Sequence, residues 1–154
     1  MEDKVAARAR NNAYALLRQR PRSEHEIRER LKLKGYSDAV TEEIIELLKK
    51  AGDIDDARFA GLWVESRMSM NPAGDVVLKH ELRAKGVSDT IIEATLTEKA
   101  DKYDEYEVAF SMAKERFERF KKLDRPKAMK RVYDFLLRRG FKYDTVRRII
   151  ENLK

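Results

Sequence analysis

Lys34-Gly35-Tyr36-Ser37-Asp38 returns about 51 positions later as Lys85-Gly86-Val87-Ser88-Asp89. Laying one stretch over the other also sets Ile27 on Leu78, Leu31 on Leu82 and Val40 on Ile91. Self-similarity at such a period marks a chain built from stacked supersecondary units, each too small to bury a core alone. Helical spacing and capping chemistry fill in the first unit. Ala9, Ala13, Leu16 and Leu17 share one face of a helix that ends near Arg20-Pro21. Ser23-Glu24-His25-Glu26 reads as a capping box opening a second helix, with Ile27 and Leu31 inward and Gly35 as its stop. Ser37 caps a third helix with Val40, Ile44, Leu47 and Leu48 facing the core, and Gly52 ends it.

The second unit repeats the plan. A helix from about Asp56 to Met70 carries Phe59, Leu62, Trp63 and Ser66, and it breaks at Asn71-Pro72-Ala73-Gly74. The next helix presents Leu78 and Leu82, and Ser88-Asp89 opens another with Ile91, Ile92 and Leu96. A looser third copy starts with Phe110, Ala113, Phe117 and Phe120 on a helix expected to end around Leu123. After Asp124-Arg125-Pro126 come Met129, Val132, Tyr133 and Leu136, then Arg139-Gly140-Phe141 in the place of Lys34-Gly35-Tyr36. The last helix holds Val146, Ile149, Ile150 and Leu153, a pattern that reads one residue out of register with the earlier copies. No segment alternates with period two, so no strand is expected. The expected fold is all-α: three tandem three-helix, helix-turn-helix-like repeats over residues 1–52, 53–100 and 101–154, forming an elongated, curved molecule.

Charge narrows the function classes. The net charge is +6 over 154 residues. Residues 1–52 carry +3, residues 53–100 carry −3 and residues 101–154 carry +6, a basic–acidic–basic order. That order suits a partner of mixed electrostatics, or nucleic acid touched by the two ends, better than a uniform polyanion. Cysteine is absent, which excludes disulfides and thiolate metal sites. No apolar window reaches the length of a membrane span and Met1 begins no signal-peptide pattern, so a cytoplasmic protein without membrane contact is expected. His25 and His80 are the only histidines, neither with a second ligand at metal spacing, so no metal is expected. The six glycines are scattered singly rather than gathered in a phosphate loop. Adjacent carboxylates such as Glu42-Glu43 and Asp55-Asp56 point apart on a helix and cannot flank a substrate. Neither an enzyme nor a cofactor is indicated.

The Gly-containing turns resemble helix-turn-helix corners. The first would-be recognition helix carries Glu42, Glu43 and Glu46, which repel phosphate, and the second carries Glu93 and Glu98. Only the third, with Thr145, Arg147, Arg148 and Asn152, suits DNA. In that third repeat Lys127, Arg131 and Arg138 form one exposed stripe interrupted by Asp134, and Lys130, Arg139, Lys142, Arg147 and Arg148 add charge nearby. These eight cations are the candidate partner- or DNA-binding residues. The plainer reading of part of the cluster is compensation of helix C-termini, which applies to Arg139, Lys34 and Lys85.

One further stretch, Ala51-Gly52-Asp53-Ile54-Asp55-Asp56-Ala57-Arg58-Phe59-Ala60, is a helix–helix corner. Gly52 stops one helix, and the Asp pair caps the next and sits against the positive end of its dipole. The same stretch resembles the signature of the RecX family, regulators of the recombinase RecA. Supporting marks are Ser23-x-x-Glu26-Ile27, Leu31-x-x-Lys34-Gly35, Gly74, Glu81-Leu82-x-x-Lys85-Gly86 and Phe135-Leu136-x-Arg138-Arg139-Gly140-Phe141, spread from about Ala9 to Leu153. The resemblance implies three three-helix repeats and no catalytic residues. It implies a monomer that binds the RecA filament on single-stranded DNA and opposes recombinase activity, within homologous recombination, DNA repair and the SOS response. Gly52, Asp55, Asp56, Arg58, Phe59, Gly35, Gly86 and Gly140 are its family-motif residues, and their chemistry here is that of corners. The alternative from another class is a nonspecific nucleic-acid-binding helical protein.

Overall fold

The computed structural model describes the backbone of residues 2–154 and the side chains of residues 4–154. Met1, where the sequence begins no signal-peptide pattern, lies outside the described residues. Among these residues there are nine α-helices and no strand. They are α1 (Glu2–Gln19), α2 (Glu24–Leu33), α3 (Asp38–Lys50), α4 (Asp56–Met70), α5 (Asp75–Ala84), α6 (Asp89–Lys102), α7 (Glu105–Glu118), α8 (Arg125–Arg138) and α9 (Tyr143–Asn152). They make three consecutive three-helix repeats. No helix among the described residues is long and apolar enough to cross a membrane.

The second helix of every repeat closes in the same way. Tyr36 N–H donates to the Leu31 carbonyl at 3.2 Å, Val87 to Leu82 at 3.1 Å and Phe141 to Leu136 at 3.3 Å. These are the long reach-back bonds of a helix that ends on a left-handed glycine. Helix starts are equally local. Ser23 Oγ accepts from Glu26 N–H at 3.2 Å while Glu26 returns a carboxylate to Ser23 N–H, completing the capping box. Asp55 accepts from Arg58 N–H at 3.1 Å at the head of α4, and Asp104 from Glu107 N–H at 3.0 Å at the head of α7. α7 stops at Glu118, short of Leu123, because Arg119, Phe120 and Leu123 donate to carbonyls only three residues back, tightening the chain into turns.

Burial corrects the register expected for the third helices. In α3 the inward residues are Thr41, Ile44, Ile45 and Leu48, while Leu47 is exposed and Val40 only partly buried. In α6 they are Ile92, Thr95, Leu96 and Lys99, with Ile91 half-buried. In α9 they are Thr145, Val146, Ile149 and Leu153. Counted from the preceding glycine, Thr41, Ile92 and Val146 share one slot, Ile44, Thr95 and Ile149 a second, and Leu48, Lys99 and Leu153 a third. The last helix is therefore in register with the others. Polar occupants in α3 and α6 hid this, since Thr and Lys do not read as core. α4 departs in a similar way: Phe59, Ala60, Val64 and Met68 are buried, while Leu62 and Ser66 are exposed and Trp63 is half-buried. Apolar residues surround this helix, so spacing alone selects no stripe.

By compactness the chain divides into two units, Met1–Leu62 with Leu82–Ile92, and Trp63–Glu81 with Glu93–Lys154. In the first unit α1, α2 and α3 enclose Ala9, Ala13, Ile27, Leu31, Ile44, Ile45, Leu48 and Ile54. Here the C-terminal end of α5 meets the N-terminal end of α2. Ser23, fully buried, donates its hydroxyl to the Lys85 carbonyl at 2.6 Å. A Cβ on Gly86 would stand 2.3 Å from His25 Cβ, so the approach requires glycine on steric grounds as well as for its φ of +77°. Asp56 ties the same corner by accepting from Glu24 N–H at 2.9 Å. The two aspartates therefore serve different helices, Asp55 capping α4 and Asp56 capping α2, where sequence assigned both to α4.

In the second unit α7, α8 and α9 enclose Ala109, Ala113, Val132, Leu136, Phe141, Val146, Ile149 and Leu153. The end-to-end joint recurs between α8 and the start of α5. Gly74 N–H donates to the Arg139 carbonyl at 2.7 Å and Val76 N–H to the Gly140 carbonyl at 3.3 Å. A Cβ on Gly140 would lie 2.5 Å from Val77 N, and one on Gly74 2.2 Å from the Gly140 oxygen. Glu81 gathers Trp63 Nε1–H at 2.9 Å and a two-armed contact from Arg67, fixing α4 on α5. Lys99, 6% exposed in its core slot, meets Asp75 at 2.7 Å.

Candidate partner-binding surface

The eight cations singled out in the third repeat all lie in the second unit, on α8, α9 and the turn between them. Their environments differ. Lys127 meets Asp124 at 3.6 Å, Lys130 meets Asp134 at 2.9 Å and Arg147 meets Glu151 at 3.4 Å. All three pairs are exposed, and exposed pairs contribute about 0–1 kcal/mol, so they open readily for a partner. Arg131 lays its guanidinium 5.4 Å from the Phe120 ring, and Arg148 lies 4.7 Å from the Tyr106 ring. Arg138 and Lys142 are exposed and make no ion pair among the described residues. Lys142 precedes α9 in extended conformation without a side-chain cap bond.

Arg139 is placed differently. Its guanidinium donates to Asn71 Oδ1 and, at 2.8 Å, to the Pro72 carbonyl, holding the break between α4 and α5. Burial first, and then Arg67, push this guanidinium below its ordinary range. It is a joint residue more than a surface one.

The structure also brings in residues that charge counting on α8 and α9 passed over. Arg116 of α7 stacks 4.5 Å over the Phe135 ring, and Arg139 approaches the same ring at 5.9 Å. Arg125 lies 5.9 Å over Phe117 and donates to the Leu153 carbonyl at 2.7 Å. Phe117, Phe120 and Phe135 are half-buried, one edge on the core and one face toward a cation. The available signal was the interleaving of Arg116, Arg119 and Arg131 with these aromatics, which a core-stripe reading absorbed. Beside α9, a cleft of about 590 Å³ is lined by Lys142, Thr145, Arg148 and Tyr106. Thr145 Oγ1 donates to Glu105 at 2.8 Å on its floor. Among the described residues no group of His, Asp and Glu has the arrangement of a metal site.

This architecture is matched by known proteins along nearly its whole length. Profiles for the first, second and third three-helix domains of RecX match residues 9–48, 55–96 and 103–150. The chain belongs to the RecX family. "Regulatory protein RecX" of Prosthecochloris aestuarii is 35% identical over 153 residues, covering 99% of this chain and 98% of the relative. The protein of the same name in Clostridioides difficile is 29% identical, covering 99% of this chain and 71% of the relative. A crystal structure of RecX from Lactobacillus salivarius superposes with a TM-score of 0.84 at 25% identity, covering 96% of each chain. These relatives are named as regulatory proteins. The RecX signature residues lie at helix ends and in the core. Gly52, Gly35, Gly86 and Gly140 end helices, Asp55 and Asp56 cap them, and Phe59 is core. Arg58 is exposed, and its side chain makes no ion pair among the described residues.

Proposed function

We propose that this chain binds a RecA-type recombinase filament on single-stranded DNA and opposes its activity, acting as a cytoplasmic monomer without cofactor or turnover. The observation that supports this most is the likeness, over 99% of the chain, to a relative named for regulation. The α7–α9 surface suits such a target. Its exposed ion pairs yield at small cost, and its guanidinium plates on Phe120 and Phe135 offer flat cationic faces on which a nucleobase or a partner's aromatic ring can stack. With +6 on residues 101–154 and −3 on residues 53–100, the third repeat carries more of the contact than the second. The direct functional test adds the chain to a strand-exchange reaction run by a RecA-type recombinase. Inhibition that deepens with added regulator is expected. Unchanged exchange at saturating regulator would refute the reading. The same cationic surface favours one rival, nonspecific binding of nucleic acid, in which the recombinase adds nothing to affinity.

A further inference from the structure

Arg58 is in an unfavourable place. It lies in the first turn of α4, beside the positive end of the helix dipole, where a cation is destabilising. No ion pair among the described residues compensates it, and the backbone N–H of Arg58 is already satisfied by Asp55. Among the described residues no ion pair holds the side chain in the fold. It opens onto a cleft of about 290 Å³ in the first unit, which Arg18 and Arg22 also line. Arg22 is the unusual member, 8% exposed, with its Nη2 donating to Gln19 at 3.0 Å and its Nε buried without a partner. Glu26 approaches Arg22 only to 3.8 Å. Burial, then Arg20, hold the Arg22 guanidinium below its ordinary range, the sign of a charge short of counter-charge.

Two carboxylates stand at the cleft, and both are engaged. Asp53 accepts from the Tyr14 hydroxyl at 2.7 Å, and Asp55 caps α4. The walls between the charges are apolar, with Leu17 half-buried, Phe59 buried and Leu62 40% exposed.

We infer that this cleft docks an acidic segment of a protein partner, seating a carboxylate among Arg18, Arg22 and Arg58 with a neighbouring apolar side chain against Leu17 and Leu62. Arginine matches a carboxylate with two parallel N–H donors, and a partly dry site strengthens each bond. A nucleic-acid backbone fits less well, because Asp53 and Asp55 at the cleft repel a run of phosphates, whereas a single carboxylate can pass between them. That the partner is a protein subunit of the filament rests on the function proposed above; the cleft's chemistry does not.

The test uses the full chain and Arg58→Gln, which removes a cation from the wrong end of a helix and should keep or raise the melting temperature. Arginine Nε–Hε resonances of Arg18, Arg22 and Arg58 are followed by NMR during titration with a short peptide alternating leucine and glutamate. Inorganic phosphate is titrated in parallel. The peptide should shift these resonances saturably, phosphate should not, and Arg58→Gln should abolish the response. On filaments the same variant should lose about tenfold or more in affinity, with affinity for bare single-stranded DNA unchanged and Arg58→Lys recovering only part. A wild-type chain whose resonances ignore the peptide overturns the assignment, whatever the filament result. Equal response to phosphate, with equal loss of affinity for bare DNA, also overturns it in favour of a nucleic-acid site. Arg58-dependent peptide binding in a chain that ignores the filament upholds the cleft and overturns only the partner.

Discussion

Gly52 and Gly86 offer a matched pair for testing whether the repeats are joined by close helix-end contacts. Both end helices in the first unit, with φ of +78° and +77°. An alanine at either suffers the same left-handed strain, about 1–2 kcal/mol. Reduced freedom of the unfolded chain offsets about 0.4–1 kcal/mol of that at both positions. Their surroundings differ. A Cβ on Gly52 meets nothing within 4 Å, whereas one on Gly86 would stand 2.3 Å from His25 Cβ and 2.5 Å from its Cγ. These atoms sit close to the α2 backbone, so relief means moving helix ends apart, an overpacking cost of about 1–3 kcal/mol. Separation also weakens the Ser23 bond to the Lys85 carbonyl, for about 1 kcal/mol more. Gly52→Ala should therefore cost about 1 kcal/mol and Gly86→Ala about 3–4 kcal/mol. Urea unfolding followed by far-ultraviolet circular dichroism reads both. His25→Gly removes the opposing Cβ, so adding it to Gly86→Ala should recover much of the loss, a coupling that a double-mutant cycle isolates. Equal costs for the two alanines, or strict additivity with His25→Gly, would refute the joint as described.

Three further perturbations follow from the same contacts. Asp75→Ala leaves Lys99 buried without its partner and should cost about 2–4 kcal/mol, while Lys99→Leu, which copies Leu48 and Leu153 in the same slot, should stay within about 1 kcal/mol of the parent; calorimetric melting reads both. Glu26 and Asp56 should act oppositely in acid. Burial raises the pKa of Glu26, but the Arg20 and Ser23 bonds outweigh it and leave the carboxyl below its ordinary range, so the stability it adds is lost as pH falls through that lowered pKa. Burial holds the Asp56 carboxyl above its ordinary range, so its contribution grows on acidification from that raised pKa toward the ordinary one. Glu26→Gln should flatten the fall of melting temperature in acid and Asp56→Asn should steepen it; the same direction in both would contradict the assignments. Replacing Arg131, Arg138, Arg147 and Arg148 together by Glu should weaken filament binding and reduce its salt dependence, by about 0.7 in logarithmic slope for each lost phosphate contact. The control, Lys79→Glu with Arg83→Glu in the middle repeat, should do less, as titrations across a salt series would show.

Helix ends were the most legible part of the sequence. Gly, Ser and Asp act through their own backbone neighbourhood, so Ser23, Gly35 and Gly86 declared their roles before any packing was known. Core faces were harder wherever a slot holds a residue of the wrong polarity. Thr41, Thr95 and Lys99 occupy buried positions that periodicity assigns to Val40, Leu47 or Ile91, and Lys99 is held in its slot by Asp75, distant in sequence. The sharing of Asp55 and Asp56 between α4 and α2 was invisible for the same reason. At the α7–α9 surface the cations could be counted, but whether each meets a carboxylate, an aromatic ring or solvent depends on helix packing. In the sequence Arg58 belongs to a corner, and what sets it apart is its place on a cleft with no ion pair among the described residues.

Affinity for protein-coated against bare DNA bears most directly on the regulator reading. One labelled single strand, at one salt concentration, is titrated with this chain, first bare and then carrying a saturating RecA-type filament. Binding should be tighter to the filament by about tenfold or more, with a shallower salt dependence than on bare DNA, because protein surface replaces phosphate in the contact. Equal affinities with equally steep salt dependence would contradict the account and leave a nonspecific nucleic-acid-binding protein.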